Sequence, residues 1–378
     1  MMLAVAQCFT RRAVAVASMA IFGLPALALG NPTPLTVFGD SLSDVGNLDF
    51  ASGGVLPGEA YFSGRFSNGP LYADLLGFGI SHSLEGGNNF AIAGATTGAS
   101  VVGFPGQLDS FSMAHPEGAD PQGLYLVWFG ANDVIDGYEG GDPDAAAMEI
   151  DVALSIFGQA LSDLIELGAR NVIVLNLPDL SHTPDALEFD DPAAAPLARS
   201  LTLQWNAGLD EIVSAQDSPG IVRIDVAALF EQILADPLAY GFTNLQDRAI
   251  STPGDDREFL FWDGVHPTTR VHQILAEQMQ MALDILTPHS PTITGITHDP
   301  AGPRVSIEFD SQPKQRYIVE FSTSLTGGWR ELVGDLVSQG EVTRFTDTIG
   351  VATADARAYY RVRCASGLGA EPVPPPAR

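Results

Sequence analysis

A serine in a Gly-Asp-Ser turn is the residue of this sequence whose surroundings point most directly to chemistry. Ser41 follows the apolar run Leu35–Phe38, which is typical of a buried strand. Ser41 is therefore predicted at the carboxyl end of a strand, where open α/β sheets bind their ligands. Because a serine hydroxyl is a weak nucleophile, it needs a base that takes its proton and N–H donors that hold the developing oxyanion.

Two further segments offer such donors. The segment Asn88–Ala95 is rich in small residues, so a backbone N–H there can approach a reacting carbonyl. The apolar run Tyr125–Phe129 predicts another strand, and Asn132 follows it closely. Because the carboxyl ends of parallel strands meet at one edge of a sheet, we expect the Asn132 amide to be aimed at the same place as Ser41.

Two Asp-x-x-His segments offer a base. An aspartate three residues before a histidine can turn back and accept a hydrogen bond from its ring, which fixes the tautomer and stabilises the imidazolium. Asp263 and His266 have this spacing, and so do Asp179 and His182, which also follow a predicted strand. Spacing alone therefore leaves both pairs open. The remaining histidines are predicted to be surface or helix residues: His82, His115, His272, His289 and His298.

Taken in order, these segments resemble the blocks of the SGNH, or GDSL-type, hydrolases over roughly residues 35–287. The resemblance implies that Ser41 is the nucleophile, His266 the base and later the acid, and Asp263 the residue that orients His266. It also implies an oxyanion hole formed by the backbone N–H of Ser41, the N–H of Gly94 and the side chain of Asn132. Pro267 and the helix that follows His266 favour this histidine over His182 as the base.

The segment Gly64–Gly69, which reads Gly-Arg-Phe-Ser-Asn-Gly, resembles the plant-lipase-like branch of the same family. The second block departs from the pattern, since many relatives have two adjacent glycines where this chain has Gly94 followed by Ala95. Asp40 and Asp44 flank the nucleophile and are interpreted as acceptors that shape its loop, and Asn47 as a residue that helps to hold it. The family implies a flavodoxin-like, three-layer αβα fold around a parallel sheet.

The apolar pattern of residues 35–287 independently predicts such an α/β fold. Nearly continuous apolar runs are typical of strands buried on both faces, and their alternation with helical patterns indicates a parallel sheet covered on both sides. The predicted strands are Leu35–Phe38, Tyr125–Phe129, Val172–Leu175 and Ile221–Ile224, and the predicted helices are Asp144–Leu167, Ala193–Gln216, Val226–Leu234 and Thr268–Leu286.

The pattern changes after Leu286. Pro288 and Pro291 indicate a linker, and alternating apolar and polar residues from Val305 onward predict a small antiparallel β-sandwich. We therefore expect an α/β hydrolase domain over residues 31–288, a β-sandwich accessory domain over 289–368 and a Pro-rich disordered tail over 369–378.

The N-terminal residues resemble an export signal. Arg11 and Arg12 precede the apolar run Ala13–Leu29, and Ala26-Leu27-Ala28 offers small residues for cleavage. A removed signal peptide over residues 1–30 and a secreted or periplasmic bacterial protein are predicted, with an uncleaved membrane anchor as the alternative. Twin-arginine export is a second open point. Cys364 is the only cysteine beyond that segment, so no intramolecular disulfide and no cysteine metal site is expected.

The formal net charge of −28 argues against nucleic acids and anionic membranes as partners, because an acidic surface repels phosphates. No membrane-spanning segment is expected after the signal. The reaction predicted is hydrolysis of carboxylic esters through an acyl-enzyme, with no metal or organic cofactor. Asp142 and Asp144 are interpreted as solvated loop carboxylates rather than calcium ligands.

The acyl group of the substrate is expected to be short to medium in length. Aromatic residues that could line its pocket, although most are expected in the core, are Tyr61, Phe62, Phe66, Phe104 and Trp128. The alternative substrate is an acetylated polysaccharide held by the C-terminal domain. In a non-enzymatic reading Trp329, Tyr359 and Tyr360 form a stacking platform, and in a third reading this domain is only a spacer.

Overall fold

A computed structural model of the chain describes residues 35–216, 220–286, 291–298, 304–311, 316–322, 329–347 and 359–364. The described residues divide into two compact units, one up to Ala282 and the other from Leu283 onward. The predicted signal peptide and the Pro-rich tail lie outside the described residues, and the domain boundaries predicted from the sequence stay predictions.

The first unit is built on a parallel four-stranded sheet. Its strands, in the order β1-β2-β3-β4, are β1 (Leu35–Gly39), β2 (Leu124–Trp128), β3 (Asn171–Leu175) and β4 (Ile221–Ile224). Every residue of β1 and β2 is buried, as expected for strands covered on both faces. The four predicted strands are therefore confirmed to within one residue, and the α/β fold class is correct.

The segment before Gly94 runs along the free side of β1. The Phe90 N–H donates to the Val37 carbonyl at 2.7 Å, and the Ile92 N–H donates to the Gly39 carbonyl at 3.1 Å. These hydrogen bonds bring the second family block beside the end of β1, where Ser41 follows.

Helices flank the sheet in a three-layer arrangement. The four predicted helices are confirmed, and the described residues contain six further helices that were not predicted. In chain order the helices are α1 (Asn47–Ala51), α2 (Tyr72–Leu75), α3 (Phe104–Ala114), α4 (Ala131–Gly140), α5 (Pro143–Glu166), α6 (Pro184–Glu188), α7 (Ala194–Ala215), α8 (Val226–Ala235), α9 (Pro237–Tyr240) and α10 (Thr269–Leu286).

Helix α5 shows how a long apolar helix is used in this unit. Its side chains Ile150, Phe157 and Leu161 are buried, which is the pattern of a helix that packs one face into a core. By length and composition alone, α5 is the one helix in the described part of the chain that could cross a membrane. At its start the Asp142 carboxylate accepts hydrogen bonds from the N–H groups of Asp144 and Ala145, so Asp142 is a helix cap.

A small parallel pair, β5 (Asn244–Arg248) and β6 (Phe259–Phe261), was not predicted. β6 leads into the loop that carries Asp263 and His266. The Trp262 N–H donates to the His266 carbonyl at 2.8 Å, and the Thr268 N–H donates to the Leu260 carbonyl at 3.0 Å. The loop is therefore closed on itself by backbone hydrogen bonds.

In the described residues of the second unit the strands are β7 (Ile293–His298), β8 (Val305–Asp310), β9 (Arg316–Ser322), β10 (Arg330–Val337), β11 (Val342–Asp347) and β12 (Tyr359–Cys364). They form two antiparallel three-stranded sheets, one with the order β11-β8-β7 and the other with the order β10-β9-β12. The two sheets share a core, which confirms the predicted all-β sandwich; its buried residues are Val305, Ile307, Phe309, Tyr317, Val319, Tyr360 and Val362.

Most of the aromatic side chains considered for a stacking platform are not free to stack on a ligand. Tyr359 and Tyr360 are buried, and the Arg361 guanidinium lies 4.4 Å from the centre of the Trp329 ring. Tyr359 and Tyr360 therefore belong to the core, and a polysaccharide contact through them is not supported.

Glu320 of β9 lies between two arginines of β12. Burial raises the pKa of Glu320, but hydrogen bonds from Arg361 and Arg363 outweigh this effect and hold the pKa below its usual value.

Candidate active site

Three side chains from distant parts of the first unit meet at the end of β1. The Ser41 Oγ lies 2.8 Å from the His266 Nε2, and the His266 Nδ1 lies 2.7 Å from the Asp263 Oδ2. Because the ionised Asp263 carboxylate only accepts hydrogen bonds, the proton of the neutral ring is on Nδ1 and Nε2 is left to accept from Ser41. This is the geometry by which a histidine can deprotonate a serine.

The turn that presents Ser41 depends on Gly39 and Asp40. The Asp40 carbonyl accepts hydrogen bonds from the N–H groups of Ser43 and Asp44, and its Oδ1 accepts one from the Leu42 N–H. A Cβ added to Gly39 would lie 2.7 Å from the Trp128 carbonyl oxygen of the neighbouring strand. The chain therefore needs glycine where it leaves the sheet for the nucleophile turn.

Asp44 fastens this turn to its surroundings. Its carboxylate accepts hydrogen bonds from the N–H groups of Gly46, Asn47, Leu48 and Ala93. Burial raises the pKa of Asp44, and these four donors oppose that effect. The Asn47 amide in turn donates to the Asn89 and Ala91 carbonyls, at 2.8 and 2.9 Å. The interpretation of Asp40, Asp44 and Asn47 as residues that shape the loop is confirmed.

Asp263 is held in an equally dense set of hydrogen bonds. Its Oδ1 accepts from the N–H groups of Val265 and His266, at 2.9 and 2.7 Å. Its Oδ2 accepts from the His266 ring and, at 2.8 Å, from the Tyr61 hydroxyl. Burial raises the pKa of Asp263, but the hydrogen bond and charge of His266 outweigh it and lower the pKa to about 2. The carboxylate is thus ionised at neutral pH.

The aromatic residues considered for an acyl pocket take different positions. Trp128 lines the cavity described below, whereas Phe104 is fully buried in the core. Tyr61 contacts Asp263, and the Phe66 ring centre lies 5.1 Å from that of His266, so both lie against the Asp263–His266 pair instead. Phe62 is largely exposed. The sequence therefore identified one lining residue of the five.

Asn132 is the second residue of α4, which follows β2. It lines the same cavity as Ser41 and His266, and its Nδ2 donates to the Ala95 carbonyl at 2.8 Å. One amide hydrogen of Asn132 is therefore used to hold the group in place, and the other remains for a ligand. Gly94 has a φ of +77°, a left-handed conformation that favours glycine. The oxyanion roles of Ser41, Gly94 and Asn132 stay predictions.

The second Asp-x-x-His pair is excluded as the partner of Ser41 in this structure. His182 is 44% exposed, and its Nε2 lies 3.9 Å from the Asp179 Oδ2. Asp179 instead accepts from the Ser181 N–H and pairs with Arg199. Its neighbour Thr183, and not His182, lines the cavity and caps α6.

A cavity opens beside Ser41, and we call it the acyl cavity. It encloses about 770 Å³ of space, part of which is open to solvent. Its walls are mainly apolar and include Phe230 of α8, Phe261 of β6 and Leu275 of α10. His272 of α10 also lines it and is 1% exposed. Its helical position was predicted, but its burial at the site was not.

The chain belongs to the GDSL-like lipase/acylhydrolase family, whose model matches residues 35–279. Lipase 1 of Photorhabdus luminescens is 27% identical over 321 residues, which cover 64% of this chain and 49% of that protein. The chain thus spans about half the length of that relative. An acetylesterase of Thermothelomyces thermophilus is 28% identical over 271 residues, covering 64% of this chain and 85% of that one.

Among solved structures, an acetylxylan esterase from Geobacillus stearothermophilus is 18% identical, with a TM-score of 0.40, over 67% of this chain and 94% of that one. The family match covers both ends of the candidate site, from β1 through His266 to α10. The resemblance stated from the sequence is therefore confirmed at the level of the family.

Proposed function

We propose that the chain is a serine esterase that hydrolyses carboxylic esters, with Ser41 as nucleophile, His266 as base and Asp263 as the residue that orients it. The observation that carries the proposal is the 2.8 Å contact between the Ser41 Oγ and the His266 Nε2. It is supported by the Asp263 carboxylate on the other ring nitrogen and by membership of the GDSL-like lipase/acylhydrolase family.

The reaction follows from this geometry. His266 takes the Ser41 proton while the serine oxygen bonds to the ester carbonyl carbon, and the carbonyl oxygen becomes an oxyanion. The N–H groups of Ser41 and Gly94 and the Asn132 amide are proposed to hold that oxyanion. The alcohol leaves with the proton from His266. Water then attacks the acyl-enzyme and gives a proton to His266, which passes it to the leaving Ser41 oxygen as the acid is released.

The acyl cavity supports a short- to medium-chain acyl group. An acetyl group has one methyl to bury, whereas this cavity offers apolar walls from three further elements, α8, β6 and α10. The alternative is a polysaccharide O-acetylesterase, which the acetylesterase among the relatives supports. Rates on nitrophenyl esters of increasing chain length, measured beside acetylated xylan, separate the two. A maximum at butyrate to octanoate supports the first, and a maximum at acetate the second.

The assignment of Ser41 is tested by fluorophosphonate labelling and by Ser41→Ala. We expect the label on the Ser41 peptide alone, and a loss of at least about a thousandfold in kcat for Ser41→Ala. Ser43→Ala is the matched control, because Ser43 lies two residues after Ser41 and its hydroxyl shares a hydrogen bond with the Tyr72 hydroxyl, outside the acyl cavity. If Ser41→Ala were as active as Ser43→Ala, the assignment of Ser41 as the nucleophile would be wrong.

The assignment of the base has its own matched pair, since two histidines share the Asp-x-x-His spacing. We expect His266→Gln to lose at least about a thousandfold in kcat and His182→Gln to stay near the wild type. The opposite order of activities would transfer the role to His182.

We further propose export of the protein by residues 1–30, with the hydrolase domain over 31–288 and an accessory domain over 289–368.

A further inference from the structure

His272 is the feature of the acyl cavity that ester hydrolysis does not explain. Its side chain is 1% exposed and lines the cavity together with Ser41 and His266. Neither of its ring nitrogens has a hydrogen-bond partner within the part of the chain that the structure describes. Buried polar groups are almost always hydrogen-bonded, so an unpaired imidazole in a cavity wall indicates a partner that comes from outside the chain.

The surroundings of His272 define its chemical form. Its ring stacks on Tyr72 with centres 6.1 Å apart, and the Tyr72 hydroxyl is already paired with the Ser43 Oγ at 2.6 Å. Burial, with a smaller contribution from the charge of His266, lowers the pKa of His272 to about 3. The ring is therefore neutral, with one nitrogen that donates a hydrogen bond and one that accepts.

The other polar groups of the cavity wall away from Ser41 are already engaged. The Thr183 hydroxyl donates to the Leu180 carbonyl at 2.8 Å, and Asp179 is held by the Ser181 N–H and by Arg199. His272 thus supplies the hydrogen-bonding capacity that is left over in a mainly apolar wall. A charged ligand group would lie there without a counter-charge, whereas a hydroxyl is neutral, small, and both donates and accepts.

On these grounds, and resting on the proposed esterase function, we propose that the acyl cavity selects ester substrates whose acyl chain carries a hydroxyl group, which hydrogen-bonds to His272. A site built to pair with a hydroxyl discriminates against an analogue that lacks it, because its own polar group is then left unpaired.

The test compares the methyl ester of octanoic acid with the methyl esters of hydroxyoctanoic acids that carry the hydroxyl at successive carbons. At one position we expect the hydroxylated ester to have a kcat/KM about 10-fold or more above that of the plain ester. In His272→Phe this ratio should fall to about 1. In His272→Gln, which keeps a donor and an acceptor, part of the preference should return. Each ratio is taken within one enzyme, so a general loss of activity cancels.

Leu275→Met is the matched control, because Leu275 lines the same cavity from the same helix without a polar group. It should change the preferred chain length and keep the hydroxyl preference. If no position gives a preference while plain esters are hydrolysed by Ser41, a bound water pairs with His272 and this inference fails alone. If Ser41→Ala keeps full activity, the proposed function fails as well. A preference that persists in His272→Phe also overturns the inference.

Discussion

The Asp263 carboxylate accepts four hydrogen bonds, and the one from Tyr61 is the least expected of them. The other three come from the Val265 N–H and from the His266 backbone and ring, which are local to the loop. Tyr61 comes from 202 residues earlier in the chain. Its hydroxyl shares Oδ2 with the His266 ring, so it both fixes the carboxylate and withdraws negative charge from the oxygen that faces the imidazolium. Tyr61 is therefore a positioning residue.

Replacing Tyr61 by Phe should change the pH profile as well as the rate. With one donor fewer, the Asp263 oxygen holds more negative charge and stabilises the protonated His266 ring more strongly. We expect the acid limb of kcat/KM to move to higher pH, and kcat at its plateau to fall by about 10-fold or more, because a hydrogen bond to a charged group contributes about 1.5–3 kcal/mol.

The control for this variant is Tyr240→Phe, since the Tyr240 hydroxyl makes only an exposed 3.5 Å contact with Gln232. It should leave both the acid limb and the plateau in place. A Tyr61→Phe enzyme that melts at a lower temperature but keeps the wild-type pH profile would show that Tyr61 only stabilises the fold.

At this scale the sequence predicted the residues that carry chemistry but not those that support them. Ser41, Asp263 and His266 lie in short segments with recognisable residue order, and the structure brings them together. Tyr61 and His272 have no such signal. Their positions depend on where the chain places a distant loop and on which face of α10 is turned inward, and neither follows from local spacing.

At the scale of elements, the end of β1 is the part on which the site depends most. Gly39 is paired in register with Trp128 of β2. Its N–H donates to the Gln107 Oε1 at 3.0 Å, and its carbonyl accepts from the Gln107 Nε2 at 2.7 Å. Gly39, which lies two residues before the nucleophile Ser41, is thus held by β2 and by α3.

Gly39→Ala should therefore damage both stability and activity. The added Cβ would lie 2.7 Å from the Trp128 carbonyl oxygen, so β1 must shift away from β2 and carry Ser41 with it. We expect a loss of about 1–3 kcal/mol in the free energy of unfolding, together with a lower kcat. Gly140→Ala at the end of α4 is the control, since nothing lies within 4 Å of its added Cβ. Equal effects of the two substitutions, measured by urea denaturation and kcat, would contradict this reading.

The long elements were predicted because their patterns are long enough to be distinctive, as in α5 and α7. The strands of the main sheet were predicted from their continuous apolar runs, whereas the β5–β6 pair and six of the helices were not predicted. β6 has three residues, too few to show any periodicity, and it is defined by its pairing with β5. Helix α3 begins with Phe104-Pro105-Gly106, a start that reads as a turn. The segment beside β1 is placed by hydrogen bonds to Val37 and Gly39, which are long-range contacts that no local pattern encodes.

At the scale of the whole molecule, buried ionisable groups make folding depend on pH in opposing ways. Burial raises the pKa of Asp40 to about 7, so its protonation strengthens folding as the pH falls from about 7 to 4. Burial lowers the pKa of His272 to about 3. Below about pH 6.5 this histidine therefore takes up a proton in the unfolded chain but not in the folded chain. The stability due to neutral His272 is complete above that pH and is lost as the pH falls toward 3.

The contribution of His272 is isolated by the difference between His272→Phe and the wild type, because Asp40 is present in both. The groups that act on the ring are Tyr72, which stacks on it, and His266, whose charge lowers its pKa. Asp263, whose pKa is lowered from its ordinary value of 3.8 to about 2 in the folded chain, adds its own pH dependence only below about pH 4. Between pH 6.5 and 4 the wild type should therefore lose up to about 3 kcal/mol relative to His272→Phe, at about 1.4 kcal/mol per pH unit.

Urea denaturation at several pH values measures this difference directly, and the same substitution at the exposed His182 is the control. The free energy of unfolding of the wild type minus that of His272→Phe should decrease as the pH falls, whatever the value of this difference at pH 7. Two curves that stay parallel from pH 7 to 4 would mean that water reaches the His272 ring in the folded protein. The acyl cavity would then be hydrated at its wall, and burial would no longer account for a neutral imidazole there.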